Sequence, residues 1–435
     1  MFRPTIALIG VFTTLTTALL LITVALGPSL PSGDVLMTAS WRVTLSDTQY
    51  LFTVTDLDRD ITVERPLEGG GSNLAFSPTG ERVMIPQGDG ISVIDMQSGD
   101  FIRTPSTASP QLIGSGWSSD GNRYMMIAGE QALNLNPNIS TDIPEASILV
   151  LDVDSQQTTT LEETALTARF SPAGTHVMLI ADDELVIAEV DTGDTWTATT
   201  REETARFQNF IWSPGGAYLA FSRSLDAETD LLLLDIATRE ITNLTADITE
   251  RVESVHWSPA GTHIALIAGL LGERVLYLID VTDGTTEQIV TTAEIPQLWD
   301  VIWSPDNRNF AIQTGIETRV DNGIEATQVH AYYDGALTLV TAFADDALWS
   351  ADGRYLLYRT SQPTARLGLL DLQTGARQHI ETRGGASLVH AAWGSNTNQV
   401  LFNEFGGIFR WDLRTNTVED ISPHPFGIIL YTVYD

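Results

Sequence analysis

The sequence contains no cysteine and no lysine. Without cysteine there can be no disulfide staple, no thiolate metal site, no cysteine nucleophile and no lipid attached through sulfur. Without lysine, Schiff-base chemistry, a lysine general base and a phosphate-loop lysine are excluded as well. Positive charge is scarce too: 23 arginines face 56 acidic residues, for a formal net charge of −33. Such a surface repels phosphate backbones and anionic headgroups, which argues against nucleic-acid binding. Cations, sugars, peptides and basic or neutral protein surfaces remain as partners. The acidity does not signal disorder, because 43% of the residues are hydrophobic, enough for a sizeable core.

One long uncharged run is present. Thr5 to Leu26 carries no charged side chain, follows Arg3 and ends at Gly27-Pro28. At helical rise these 22 residues would extend about 33 Å, enough for a hydrocarbon layer of about 30 Å. The first charge beyond is Asp34, so the positive-inside rule places the following chain outside the cytoplasm. The expectation is a single-pass membrane anchor at 1–30, followed by one extracytoplasmic domain at 31–435. The alternative is a cleaved signal segment with a secreted or periplasmic product; the small-residue cleavage sites around Ala25 are poor ones.

The remainder is repetitive. An aromatic residue followed by a serine turn begins at Phe76, Trp117, Phe170, Trp212, Trp257, Trp303 and Trp349, and in degraded form at Trp393. The intervals run from 41 to 53 residues. A second string, typified by Leu278-Ile279-Asp280 with Asp283-Gly284 and by Leu370-Asp371 with Thr374-Gly375, follows each first one. Proline, serine, aspartate and glycine are the residues that tight turns demand, and the stretches between them read as strands. The repeating order is strand, turn, strand, loop, strand, turn, strand. That predicts an all-β chain, a β-propeller of four-stranded antiparallel blades. The aromatic residues are expected to pack between neighbouring sheets.

The aromatic-Ser-Pro-x-Gly turn followed by Leu-x-Asp-x-x-Thr-Gly resembles the repeat of the TolB-like propellers, which are related in form to WD-repeat and prolyl-oligopeptidase-type propellers. The resemblance spans residues 35 to 435 and implies fold more than activity. Eight blades are expected. Nine is the alternative, if Val35–Ser40, Leu51–Asp56 and Ile61–Val63 form a composite blade with the strand-like stretch Gly427–Val433.

Candidate chemistry is sparse. Asp56, Asp58 and Asp60 place carboxylates at alternate positions, as in calcium loops, but the glycine and distal glutamate of such loops are missing. A charged hairpin turn is the preferred reading, and no cofactor is expected. His256 and His390 lie on the first strand of their repeats, which lines the channel in propellers generally, and are the candidate binding residues. No Gly-x-Ser-x-Gly elbow and no His-Glu-x-x-His helix motif occurs. Two stretches, Gly129 to Ala146 and Arg319 to Gln328, interrupt the repeat as insertions that suit binding loops. The functional expectation is a monomeric, membrane-anchored propeller that binds a protein or a neutral or cationic ligand without catalysis. The alternatives are a hydrolase or lyase acting on glycans or peptides at the channel mouth, and a sensor domain of an envelope complex.

Overall fold

The computed structural model describes side chains over most of 116–421 and at a smaller set of positions between 75 and 95, with backbone strands alone at other places. Among the described residues there is no helix, and none therefore that is long and apolar enough to cross a membrane. Of the expected anchor at 1–30, only Ala7–Ile9 and Leu21–Thr23 carry an assignment, as short paired strands. The rest of that segment lies outside the described residues.

Among the described residues, eight four-stranded antiparallel sheets follow one another along the chain, the number of sheets in an eight-blade propeller. Each is a simple meander and each contains one copy of the repeat. Sheet 1 runs from Ala75–Phe76 to Phe101–Arg103, sheet 2 from Gln111–Trp117 to Gln157–Leu161, and sheet 3 from Thr167–Phe170 to Thr195–Thr200. Sheet 4 runs from Arg206–Trp212 to Ile241–Asn243, sheet 5 from Val252–Trp257 to Thr286–Thr291, and sheet 6 from Leu298–Trp303 to Ala336–Ala342. Sheet 7 runs from Ala344–Trp349 to Arg377–Glu381 and sheet 8 from Ala391–Trp393 to Thr417–Asp420. Ahead of them, Val35–Val43, Thr48–Asp56 and Ile61–Leu67 form a three-stranded meander. The composite blade of the nine-blade alternative is not what the pairing shows: Tyr431–Thr432 pairs with Ala7–Ile9.

The sheets fall into two compact units, 1–200 with 390–435, and 201–389. The second unit holds sheets 4 to 7. Within each unit the core lies between neighbouring sheets. In the first unit, Met125, Ile148 and Val150 of sheet 2 pack with Val177, Leu179 and Val186 of sheet 3. In the second, Ala265, Ile267 and Leu276 of sheet 5 pack with Val301, Phe310 and Ile312 of sheet 6. Inner strands are thus covered on both faces and read as continuous apolar runs, as in Ile264–Ala268. The outermost strand of a sheet has little to cover it, and Thr417–Asp420 is exposed throughout.

The repeat residues earn their places locally and then across sheets. The motif serines Ser118, Ser171, Ser213, Ser258 and Ser350 are buried. Each accepts, on its hydroxyl oxygen, the backbone N–H five residues on, for example His263 at 3.0 Å and Tyr355 at 2.9 Å. The turn glycine has φ near +70°, as at Gly174 (+66°) and Gly353 (+70°), where a side chain would be strained. A Cβ at Gly353 would also lie 2.6 Å from Ser304 Oγ of the preceding sheet, so close approach forbids one twice over. The tryptophans latch sheet to sheet. The indole N–H of Trp117, Trp257, Trp303 and Trp349 donates to the carbonyls of Ala75, Ile211, His256 and Ile302, at 2.9 to 3.2 Å. Each acceptor is the residue just before the preceding sheet's aromatic. In sheets 1 and 2 an arginine adds a second tie: Arg123 donates to Gly174 O at 2.8 Å and pairs with Asp191 of sheet 3. Arg82 likewise donates to Gly121 O at 2.9 Å and pairs with Asp154.

Candidate functional site

In each sheet the first strand is an edge strand, broken by a β-bulge at one repeat position in sheets 2, 5, 6 and 7 and one residue later in sheet 4. The pairing shifts between Leu112 and Gly114, between Gln208 and Ile211, between Val252 and Ser254, between Leu298 and Asp300, and between Ala344 and Asp346. A bulge leaves one residue out of the ladder and re-aims its neighbours. The residue three before the motif aromatic is polar in the later five repeats, Asn209, Ser254, Asp300, Asp346 and His390, and in sheets 4 to 7 it lies at the break.

In the second unit the bulges of sheets 5 and 6 bring three polar side chains into one line. His256 Nε2 lies 3.1 Å from Ser254 Oγ, two residues back on its own strand. His256 Nδ1 lies 3.4 Å from Asp300 Oδ1, across on the first strand of sheet 6. The other ties are structural. Asp300 Oδ1 accepts the backbone N–H of Val301 at 2.8 Å, and the His256 carbonyl accepts the Trp303 indole, so the imidazole and the carboxylate are each steadied from the backbone side. The imidazole is 22% exposed and the carboxylate 47%, so the line is reachable from solvent at its carboxylate end. Burial pushes the His256 pKa below the ordinary histidine value, against the opposing pull of the Asp300 charge. At neutral pH the ring is therefore uncharged, with one nitrogen free to accept. Hydroxyl, imidazole and carboxylate in this order can polarise the hydroxyl or hold a polar ligand group.

The same end of these sheets carries more. Trp299, the residue in the sheet 6 bulge, is 40% exposed. Leu270, in the turn between the second and third strands of sheet 5, is 62% exposed. Arg274, at the close of that turn, donates to Leu298 O at 2.6 Å and to Glu253 at 2.8 Å, tying the turn to the entrance of sheet 6. The first insertion falls in the equivalent connection, between paired Gly129 and Ala146 in sheet 2; of the second, Arg319 to Gln328, the part before Ala326 falls there in sheet 6, while Ala326 to Gln328 already belong to the third strand.

The expected site residues separate clearly. His256 is in the line just described. His390 shares the repeat position of Ser254 and Asp300 but lies outside the described residues, as do Asp58 and Asp60; Asp56 ends a strand whose side chains are not described. Among the described residues no group of histidine and acidic side chains could hold a metal. The eight aromatic positions are structural wherever their side chains are described: Trp117, Phe170, Trp212, Trp257, Trp303, Trp349 and Trp393 are buried or packed against an inter-sheet core, and Phe76 occupies the same place in the backbone of sheet 1. The aspartates that close the third strands are consumed in turns. Asp280 accepts Thr282 N–H at 2.7 Å, and Asp371 accepts Gln373 N–H while holding Arg354 at 2.7 Å, a pairing that keeps its pKa low. Sequence reading passed over Ser254 and Asp300. Their signal was a polar residue recurring three before the aromatic in otherwise apolar strands.

Comparison with known proteins agrees with this architecture. The chain superposes on a eukaryotic initiation factor with a TM-score of 0.60 at 14% identity, covering 87% of this chain and 94% of that one. It superposes on Porphyromonas gingivalis dipeptidyl peptidase 4 with a TM-score of 0.56 at 12% identity, covering 82% of this chain but spanning only 59% of the peptidase. Identities this low speak to the fold alone. No curated protein matches the sequence. The family described as TolB beta propeller domain matches residues 139–397, more than half of the sequence. This chain belongs to the TolB β-propeller family.

Proposed function

We propose that the protein is an exported, membrane-anchored propeller that binds a neutral or cationic partner through the sheet ends bearing the bulges. One observation carries the reading: at the entrance of sheet 6 an exposed tryptophan, Trp299, adjoins a half-exposed carboxylate, Asp300, on a chain of net charge −33. An open indole face attracts cations as well as apolar groups, and a carboxylate beside it favours an arginine or lysine of the partner. The insertions of sheets 2 and 6 extend this same end of their sheets, where loops are free to vary without cost to the core. Export and anchoring rest on the uncharged run Thr5 to Leu26 behind Arg3.

The full chain, embedded in its membrane or in detergent, is used to capture partners from envelope extract at low and raised salt, beside a Trp299→Ala variant of equal stability. The reading predicts a captured partner with a basic surface patch, lost about tenfold more readily by the variant and weakened by salt. Capture unaffected by both Trp299→Ala and salt removes the reading. For the anchor, a native chain found wholly in the soluble extracytoplasmic fraction and starting near Pro28 overturns the membrane attachment.

A further inference from the structure

We propose that Ser254, His256 and Asp300 form a nucleophilic site for hydrolysing carboxylic esters, an activity that goes beyond partner binding and does not depend on it. The geometry supplies the parts in order. Ser254 Oγ is 3.1 Å from His256 Nε2, within hydrogen-bond reach of a base, and His256 Nδ1 faces Asp300 Oδ1 at 3.4 Å. Distances of this kind are often loose in an empty site and tighten on substrate. The arrangement of nucleophile, base and orienting carboxylate is recognised by geometry and roles, and chain order is free. Here it is built from two adjacent edge strands, and the two flanking members occupy one repeat position, 46 residues apart.

Two further features suit the chemistry. The bulge between Val252 and Ser254 takes Glu253 out of the ladder and sets Ser254 at a break in the edge strand. The uncharged imidazole can take a proton at neutral pH.

The reaction balances as follows. Ser254 Oγ bonds to the ester carbonyl carbon while its proton passes to His256 Nε2. The carbon–oxygen bond to the alcohol then breaks and the alcohol leaves with that proton. Water attacks the acyl serine, gives its proton to His256, and the carboxylic acid departs as Ser254 Oγ recovers the proton. One ester and one water yield one acid and one alcohol. Asp300 is a positioning residue, which fixes the tautomer and faces the cation formed on His256. The acidic chain selects esters that are neutral or carry a cationic group.

The full chain is treated with a fluorophosphonate, and the adduct is located by peptide mass; hydrolysis of p-nitrophenyl butyrate is followed in parallel. The expected result is an adduct on Ser254 in preference to other serines. Its rate falls at least tenfold in His256→Gln and falls in Asp300→Asn, with Asp300→Glu restoring part of it. Ester turnover disappears in Ser254→Ala. A folded native protein that gives no Ser254 adduct overturns the proposal, as does a Ser254 labelling rate unchanged in a folded His256→Gln. Should that variant fail to fold, the native labelling result decides by itself.

Discussion

Replacing Trp303 by phenylalanine tests the sheet-to-sheet latch in isolation. The substitution removes the indole N–H that reaches His256 O at 3.1 Å and keeps an aromatic ring where Trp303 meets Phe310, with centroids 5.2 Å apart. The repeat itself shows that a benzyl ring is accommodated, since Phe76 and Phe170 hold the equivalent place in sheets 1 and 3. The lost hydrogen bond is worth about 0.5–1.5 kcal/mol net. The smaller ring gives up one to two carbon groups of apolar burial, about 0.8 kcal/mol each. The sum is about 1–3 kcal/mol, small beside the cost of truncation to alanine, about 3–5 kcal/mol. Urea unfolding followed by far-UV circular dichroism reads this as a lowered midpoint with an unchanged slope. A shift below about 0.3 kcal/mol at unchanged slope would mean that the carbonyl is equally content with water, and the latch would have no energetic meaning.

Gly353→Ala should destabilise more than Gly375→Ala by about 1–3 kcal/mol: both glycines have φ +70°, but only the first would set a Cβ against Ser304 Oγ of the preceding sheet, at 2.6 Å. Equal losses in thermal melts would refute the close-approach argument. Arg123→Met should cost about 1–3 kcal/mol, since it leaves the buried Gly174 carbonyl without its donor and Asp152 and Asp191 without their cation, whereas Asp191→Asn, at a largely exposed partner, should cost less than about 1 kcal/mol. The reverse order in a denaturant series would contradict the clamp. Burial lowers the His256 pKa, so the unfolded chain takes up its proton first as pH falls. The stability this residue contributes is full above the ordinary histidine value near 6.5 and is lost as pH drops through the lower folded value. Burial shifts His330 in the same direction. His256→Gln should therefore flatten the stability profile in this window, and a variant with a steeper fall would show the sign to be wrong.

What could be read from the sequence was whatever acts over a few residues. The Ser-Pro-x-Gly turns, the aspartates that close third strands and the strands between them are local chemistry repeated, so each of the eight sheets was expected with its aromatic in place. The partners of that chemistry were hidden because they lie one repeat away. Nothing near Trp349 indicates that its indole reaches Ile302 O, or that Arg377 reaches across to Val340 O at 2.9 Å. Ser254 and Asp300 escaped notice for the same reason: each looks like an isolated polar residue until adjacent sheets are laid side by side. His256 was singled out for its strand, but its line of partners depends on two bulges, and a bulge adds a residue without altering the turn residues that advertise the strand. The nine-blade alternative rested on a lone apolar stretch near the C-terminus, and such a stretch fits any open sheet edge; here Tyr431–Thr432 pairs with Ala7–Ile9.

The binding account is tested most directly by calorimetry of the full chain against two peptides of matched length, one rich in arginine and one in glutamate, at low and raised salt. The account predicts heat of binding for the basic peptide alone, diminished by salt and weakened about tenfold by Trp299→Ala. Binding of the acidic peptide with equal affinity, or of the basic one with no loss in Trp299→Ala, would contradict it.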